Sequence, residues 1–150
     1  MKLAEALLLR ADQKKKLASL RERITRNAIV QEGELPSESV EQLLREAAGV
    51  LQEHLEIAQK INSANQTKKV ADGRLLAVVL ADRDALVHQH SLLTAAIQAT
   101  HKDVNRYGQK EIKWLPQIDI AAMQKRADDL SKRTREINAV IQAANWQLEL

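Results

Sequence analysis

The sequence predicts a mostly α fold: an elongated antiparallel bundle of about four long helices, with a short β-hairpin or arm near residues 104–116. Three observations lead there. Apolar residues recur every three to four positions through four long stretches, the spacing that lines up side chains on one face of a helix. The interior must be built from Leu, Ile, Val and Ala, because there is no Phe and the aromatics are Trp114, Trp146 and Tyr107. Such side chains suit close helix-on-helix packing. Finally, the helix breakers fall between the periodic stretches, at Gly33 and Pro36, at Asp72-Gly73, and at Gly108 and Pro116.

The first helix is expected from Leu3 to Asn27, with Leu3, Leu7, Leu17, Leu20, Ile24 and Ala28 as its stripe and Arg10 and Lys14 interrupting it. Residues 31–36 form a connector. The second helix begins near Ser37 or Ser39, where Ser39 and Gln42 have capping-box spacing and Glu38 and Glu41 suit the positive end of the helix dipole. Its seam is Val40, Leu43, Ala47, Val50, His54, Ile57, Ile61 and Ala64, widened by Leu44, Leu51, Leu55 and Ala58. The helix fades around Asn65 to Thr67, and a turn follows at Asp72-Gly73.

The third helix should run from Leu75 to Thr100, on the seam Leu76, Val79, Arg83, Leu86, His90, Leu93, Ile97, Thr100. Its opening LLAVVLA is apolar on every face and is expected to be buried all round, either centrally in the bundle or in an oligomer interface. Ile112 and Trp114 alternate with Glu111 and Lys113, a short strand signal, and the segment is too long for a plain bundle turn. The fourth helix starts after Asp119, a plausible N-cap, and keeps the seam Ile120, Met123, Ala127, Leu130, Thr134, Ile137, Ile141, Ala144, Leu148. Helices of this length span roughly 37 Å each.

A chain of 150 residues is most simply one domain, residues 1–150. It carries no cysteine, which excludes a disulfide framework and thiolate chemistry and fits a cytoplasmic protein. The longest wholly apolar run, from Leu75 to Ala81, falls well short of the roughly 20 residues of a spanning helix. The opening MKLAEALLLRADQKKK reads as an amphipathic helix rather than a signal peptide.

Charge is unevenly spread. Residues 1–30 hold eight Lys/Arg against three acids, and residues 31–66 hold two bases against seven acids. A basic helix beside an acidic one is read first as a pair of complementary neighbours, and second as a nucleic-acid face. The candidate basic patch is Lys14, Lys15, Lys16, Arg21, Arg23 and Arg26; no aromatic neighbours it, so base stacking is unsupported.

Enzyme chemistry finds little material. A di-iron carboxylate bundle needs Glu-x-x-His pairs, and none occurs. There is no phosphate-cradling glycine loop and no nucleophile elbow. No metal, cofactor or catalytic residue is expected. The triplet Asp82, Arg83, Asp84 reads as a register or interface device, with Arg83 pairing an acid on another helix or subunit. His90, Asn62 and Asn65 join it as polar candidates, and Leu75, Leu76, Val79, Trp114 and Trp146 are the candidate interface anchors.

Four strings carry a family resemblance: residues 24–36 (ITRNAIVQEGELP), 61–65 (INSAN), 81–86 (ADRDAL) and 141–146 (IQAANW) followed by Leu150. The chain resembles a small bacterial family labelled septicolysin-like, departing from it at residues 63–65 and 67–74. The resemblance implies a compact helical protein of unknown activity, and its label a cytolysin. From the residues themselves, the expected function is that of a non-enzymatic structural or interaction protein. It would form homo-oligomers through helix faces, with a further protein partner open and neither membrane nor nucleic acid expected. Weak nucleic-acid binding through the basic first helix is the alternative.

Overall fold

The computed structural model describes residues 1–101 and 114–150. Four helices follow one another: α1 (Leu3–Asn27), α2 (Val40–Thr67), α3 (Leu76–Ala99) and α4 (Ile120–Gln147), and together they make a helical bundle. No sheet occurs among the described residues, and the hairpin or arm expected near residues 104–116 lies mostly outside them. Its described part, residues 114–116, is irregular chain without a strand.

Contacts divide the chain into two compact units, residues 1–69 with 142–150, and residues 70–141. The first unit is an antiparallel pair of α1 and α2, joined by the C-terminal end of α4. Leu20, Leu43 and Val50 form its buried cluster, with Leu17, Ile24 and Ala47 packed against it. Rising numbers on α2 meet falling numbers on α1, as an antiparallel hairpin requires. The charge asymmetry is used here: Lys16 pairs with Glu46 at 3.0 Å, and Arg23 with Glu38, both from α1 to the region of α2.

Asn27 fixes the corner between these helices. Its Nδ2 donates to the Arg23 carbonyl at 2.9 Å, while its Oδ1 accepts from the Ser37 hydroxyl at 2.9 Å and from the Glu38 N–H at 3.1 Å. A helix end leaves backbone groups without partners, and here one buried amide serves both the end of α1 and the approach to α2. Gly33 supplies the positive φ of 89° for the connector's turn, closed by Glu34 N–H to the Gln31 carbonyl at 3.0 Å. Ser39 caps α2 by accepting from the Gln42 N–H at 3.4 Å.

The chain ends meet in the same unit. Leu3 N–H donates to the Leu148 carbonyl at 2.9 Å and Leu150 N–H to the Met1 carbonyl at 3.1 Å, around an isolated antiparallel bridge of Lys2 and Glu149.

The second unit holds α3 and α4 up to Ile141. Its entry loop is tight: Val70 N–H bonds the Arg74 carbonyl and Gly73 N–H the Val70 carbonyl, both at 2.9 Å, with Gly73 at φ 86°. All eight residues of the expected α3 seam are buried or half-buried. α4 begins at its expected cap, Asp119, whose Oδ1 accepts from the Ala122 N–H at 3.0 Å.

Three expectations need correction. The α1 seam runs through Leu3, Ala6, Gln13, Leu20 and Asn27, while Lys14 and Ala28 are exposed. Two polar side chains hold seam positions that a hydrophobic count assigns to their neighbours. The LLAVVLA turn is not buried all round within the chain: Leu76 and Val79 are 1% and 0% exposed, but Val78 on the other side lies open. Leu44, Leu51 and Leu55 do not widen the α2 core, because α1 covers one side of α2 only and these three stay about half exposed.

Candidate functional site

The most unusual surface is on α2. Leu44 is 49% exposed, Leu51 54% and Leu55 51%, with exposed Ala48 between the first two. Spacings of four, three and four keep all of them on one face. Each exposed leucine follows a covered residue (Leu43, Val50, His54) and points about 100° further round the helix. The apolar sector of α2 is thus wider than α1 can cover. Along its outer flank stand Glu41, Arg45, Gln52 and Glu56. Arg45 is held loosely, its Nε 3.8 Å from Glu41 Oε1 and 3.3 Å from the Glu41 carbonyl, and Gln52 Nε2 donates to Glu56 at 3.1 Å.

A concave surface lies in the second unit, between α3 and α4. A cleft of about 540 Å³ is floored by Leu86, Ile137 and Val140 and edged by Arg74, Asp82, Arg133 and Glu136. An adjoining hollow of about 370 Å³ shares Gln89 and Arg133 with it and adds Leu92, Leu93 and Leu130. Both are open to solvent. Among the described residues, no group of three or more His, Asp or Glu is placed to hold a metal ion.

The triplet on α3 is split between two pairs. Arg83, expected to reach an acid on another helix or subunit, instead reaches its neighbour Asp84, with Nε and Nη2 at 3.0 and 2.6 Å from Oδ1. A one-residue reach of this kind sets no helix register. Asp82 accepts from Arg74 Nη1 at 2.8 Å, and Arg74 also grips Asp72 through Nε, Nη2 and its own N–H at 2.9, 2.8 and 3.0 Å. The Arg74 guanidinium holds the Asp72 carboxyl below the usual carboxylate range. This clamp ties the entry loop to the first turns of α3. Arg74 carries no pattern in the sequence that would have singled it out.

His90 is half-buried on α3, and its carbonyl accepts from the Thr94 hydroxyl at 2.9 Å. At the end of α2, Asn62 is exposed and Asn65 half-buried. The last turn is closed instead by Lys68 N–H to the Ala64 carbonyl and by the Thr67 hydroxyl to the Ser63 carbonyl, both at 2.8 Å. Of the expected anchors, Leu76 and Val79 are core residues and unavailable to a partner, whereas Leu75, Trp114 and Trp146 are exposed. In the basic patch, Lys15 pairs with Asp12, Lys16 with Glu46 and Arg23 with Glu38, while Lys14, Arg21 and Arg26 are exposed.

Sequence reasoning missed Gln13 on the α1 seam, while His54 stands on the α2 seam where it was expected. Among the described residues, Gln13 Oε1 and His54 Nδ1 are buried without a hydrogen-bond partner. Spacing of seven residues from Ala6 and from Leu20 was the available signal for Gln13.

Residues 10–150 match the model of a family described as a family of unknown function, DUF6847. A functionally unknown conserved protein from Corynebacterium diphtheriae, known from its crystal structure, is 31% identical over 100% of this chain and 98% of its own, with a TM-score of 0.91. No curated protein matches. These findings overturn the septicolysin-like resemblance. The strings that carried it have structural duties instead: Asn27 builds the α1–α2 corner, Ile61 and Ala64 are core, and Asp82 and Arg83 serve local ion pairs.

Proposed function

The chain belongs to DUF6847, a family of unknown function, and from that premise we propose that it is a non-enzymatic interaction protein that self-associates through its helix faces. The exposed leucine stripe of α2 carries this reading. Apolar surface left in water forgoes about 25 cal/mol per Å², and contiguous exposure on one face marks a surface that something covers. Trp146, 58% exposed at the end of α4, adds an aromatic of the kind enriched at interface centres.

The pairing of Lys15, Lys16 and Arg23 with acids favours a protein partner over nucleic acid, since three of the six basic candidates are engaged within the chain. The lack of cysteine suits a reducing compartment, the cytoplasm.

Molar mass in solution tests the reading. We expect it to rise from one chain mass toward two or more as concentration climbs through the micromolar range. A mass fixed at one chain up to the highest soluble concentration overturns it.

A further inference from the structure

We infer that the α2 stripe pairs with the same stripe of a second copy, antiparallel, about a two-fold axis passing between Ala48 and Leu51. This rests on the self-association proposed above and specifies its geometry. The spacing of Leu44, Ala48, Leu51 and Leu55 is palindromic: four, three, four. A two-fold axis across its middle sets Leu44 opposite the second copy's Leu55, and Ala48 opposite its Leu51. Large side chains then meet at both ends, and a small one faces a large one in the centre, so the layers interdigitate. An isologous contact of this kind closes on itself and stops at two chains.

Charge selects the same direction. The flank of the stripe carries Arg45 near one end and Glu56 near the other. Antiparallel pairing brings Arg45 of each copy beside Glu56 of the other, twice by symmetry. Parallel pairing in register would put the two flanks on opposite sides of the interface, eleven residues out of step, and Arg45 would not meet Glu56 of the second copy. The present partners are easily exchanged: Arg45 stands 3.8 Å from Glu41 in a pair whose side chains are 71% and 74% exposed, and such pairs contribute little. Three half-exposed leucines make a patch well below the roughly 800 Å² per partner of a standard interface, so the dimer forms reversibly, at micromolar concentration.

The sequence contains no cysteine, so introduced thiols report without background. In the antiparallel pair, Leu44 lies across from Leu55 of the second copy, while the two copies of Leu44 are offset by eleven residues, about 16 Å along the axis, beyond disulfide reach. We expect an equimolar mixture of the single variants Leu44→Cys and Leu55→Cys, oxidised under dimer-forming conditions, to give at least tenfold more cross-linked dimer than either variant alone. Cross-linking of Leu44→Cys alone that matches the mixture overturns the antiparallel geometry. A dimer by mass that never cross-links in the mixture places association on another face and leaves the broader reading standing. A strict monomer overturns both.

Charge exchange gives an independent measurement on a surface whose folding does not depend on it. Arg45→Glu should weaken dimerisation tenfold or more, and Arg45→Glu with Glu56→Arg should restore it. Dimerisation indifferent to Arg45→Glu, or unrestored by the double exchange, contradicts the register.

Discussion

Single side chains hold the α1–α2 corner, and Asn27 is the most exposed to challenge by mutation. Its amide makes three hydrogen bonds from a buried position. Asn27→Ala leaves the half-buried Glu38 N–H without its acceptor, and a buried polar group left unpaired costs about 1–3 kcal/mol. Thermal unfolding should fall by roughly 5 °C for a chain of this size; a midpoint within one degree of the parent would show that the corner is held elsewhere. Beside it, the hydrogen bond from Arg23 keeps the Glu38 carboxyl below its ordinary value of 4.5. A carboxylate with a lowered folded-state pKa adds stability above the ordinary carboxylate range and loses it as pH falls through the lowered value. Glu149, bonded by Lys2, and Asp72, bonded by Arg74, share the sign. Stability should therefore drop below about pH 4. Glu38→Gln should be less stable than the parent at neutral pH and equal to it in strong acid; urea titrations at both pH values check this, and an undiminished gap in acid would refute it.

Along each helix, the periodic signal was legible and its destination was not. The α3 seam reads correctly because Arg83, His90 and Thr100 keep the three-four spacing, so composition did not mask the face. On α1 the run of Lys14, Lys15 and Lys16 pulls the eye off the seam, and buried Gln13 is passed over because Gln is seldom buried. On α2 both apolar rows are visible in sequence. Which row meets α1 is a tertiary matter, decided by where the Asn27 corner aims the second helix. The two rows should separate cleanly by mutation. Leu76→Ala, at a core position taken from sequence as an interface anchor, should cost about 3 kcal/mol as a cavity forms. Leu51→Ala should cost under about 1 kcal/mol in dilute solution while weakening association. Urea unfolding at low concentration, set beside mass at high concentration, distinguishes them; a large monomer cost for Leu51→Ala would mean the α2 stripe is core.

At the scale of the whole molecule, the four helices, their order and their ends were within reach of the sequence, since breakers and caps stand between the periodic stretches. The candidate surface was not, because exposure depends on which neighbours arrive, and the clamp of Arg74 on Asp72 and Asp82 joins residues with no shared periodicity. The meeting of the chain's ends was equally hidden. Leu3 with Leu148 and Leu150 with Met1 are contacts between residues nearly the whole sequence apart, and no local pattern announces them. Their consequence lies in how the molecule first comes apart. Each end is held by the other, so neither can fray alone, and loosening one releases its partner in the same step. Residues that are the most distant along the chain thus behave as one unit of local opening. A change at either extremity should be felt at both, and hydrogen exchange should find the backbone amides of Leu3 and Leu150 opening at the same rate.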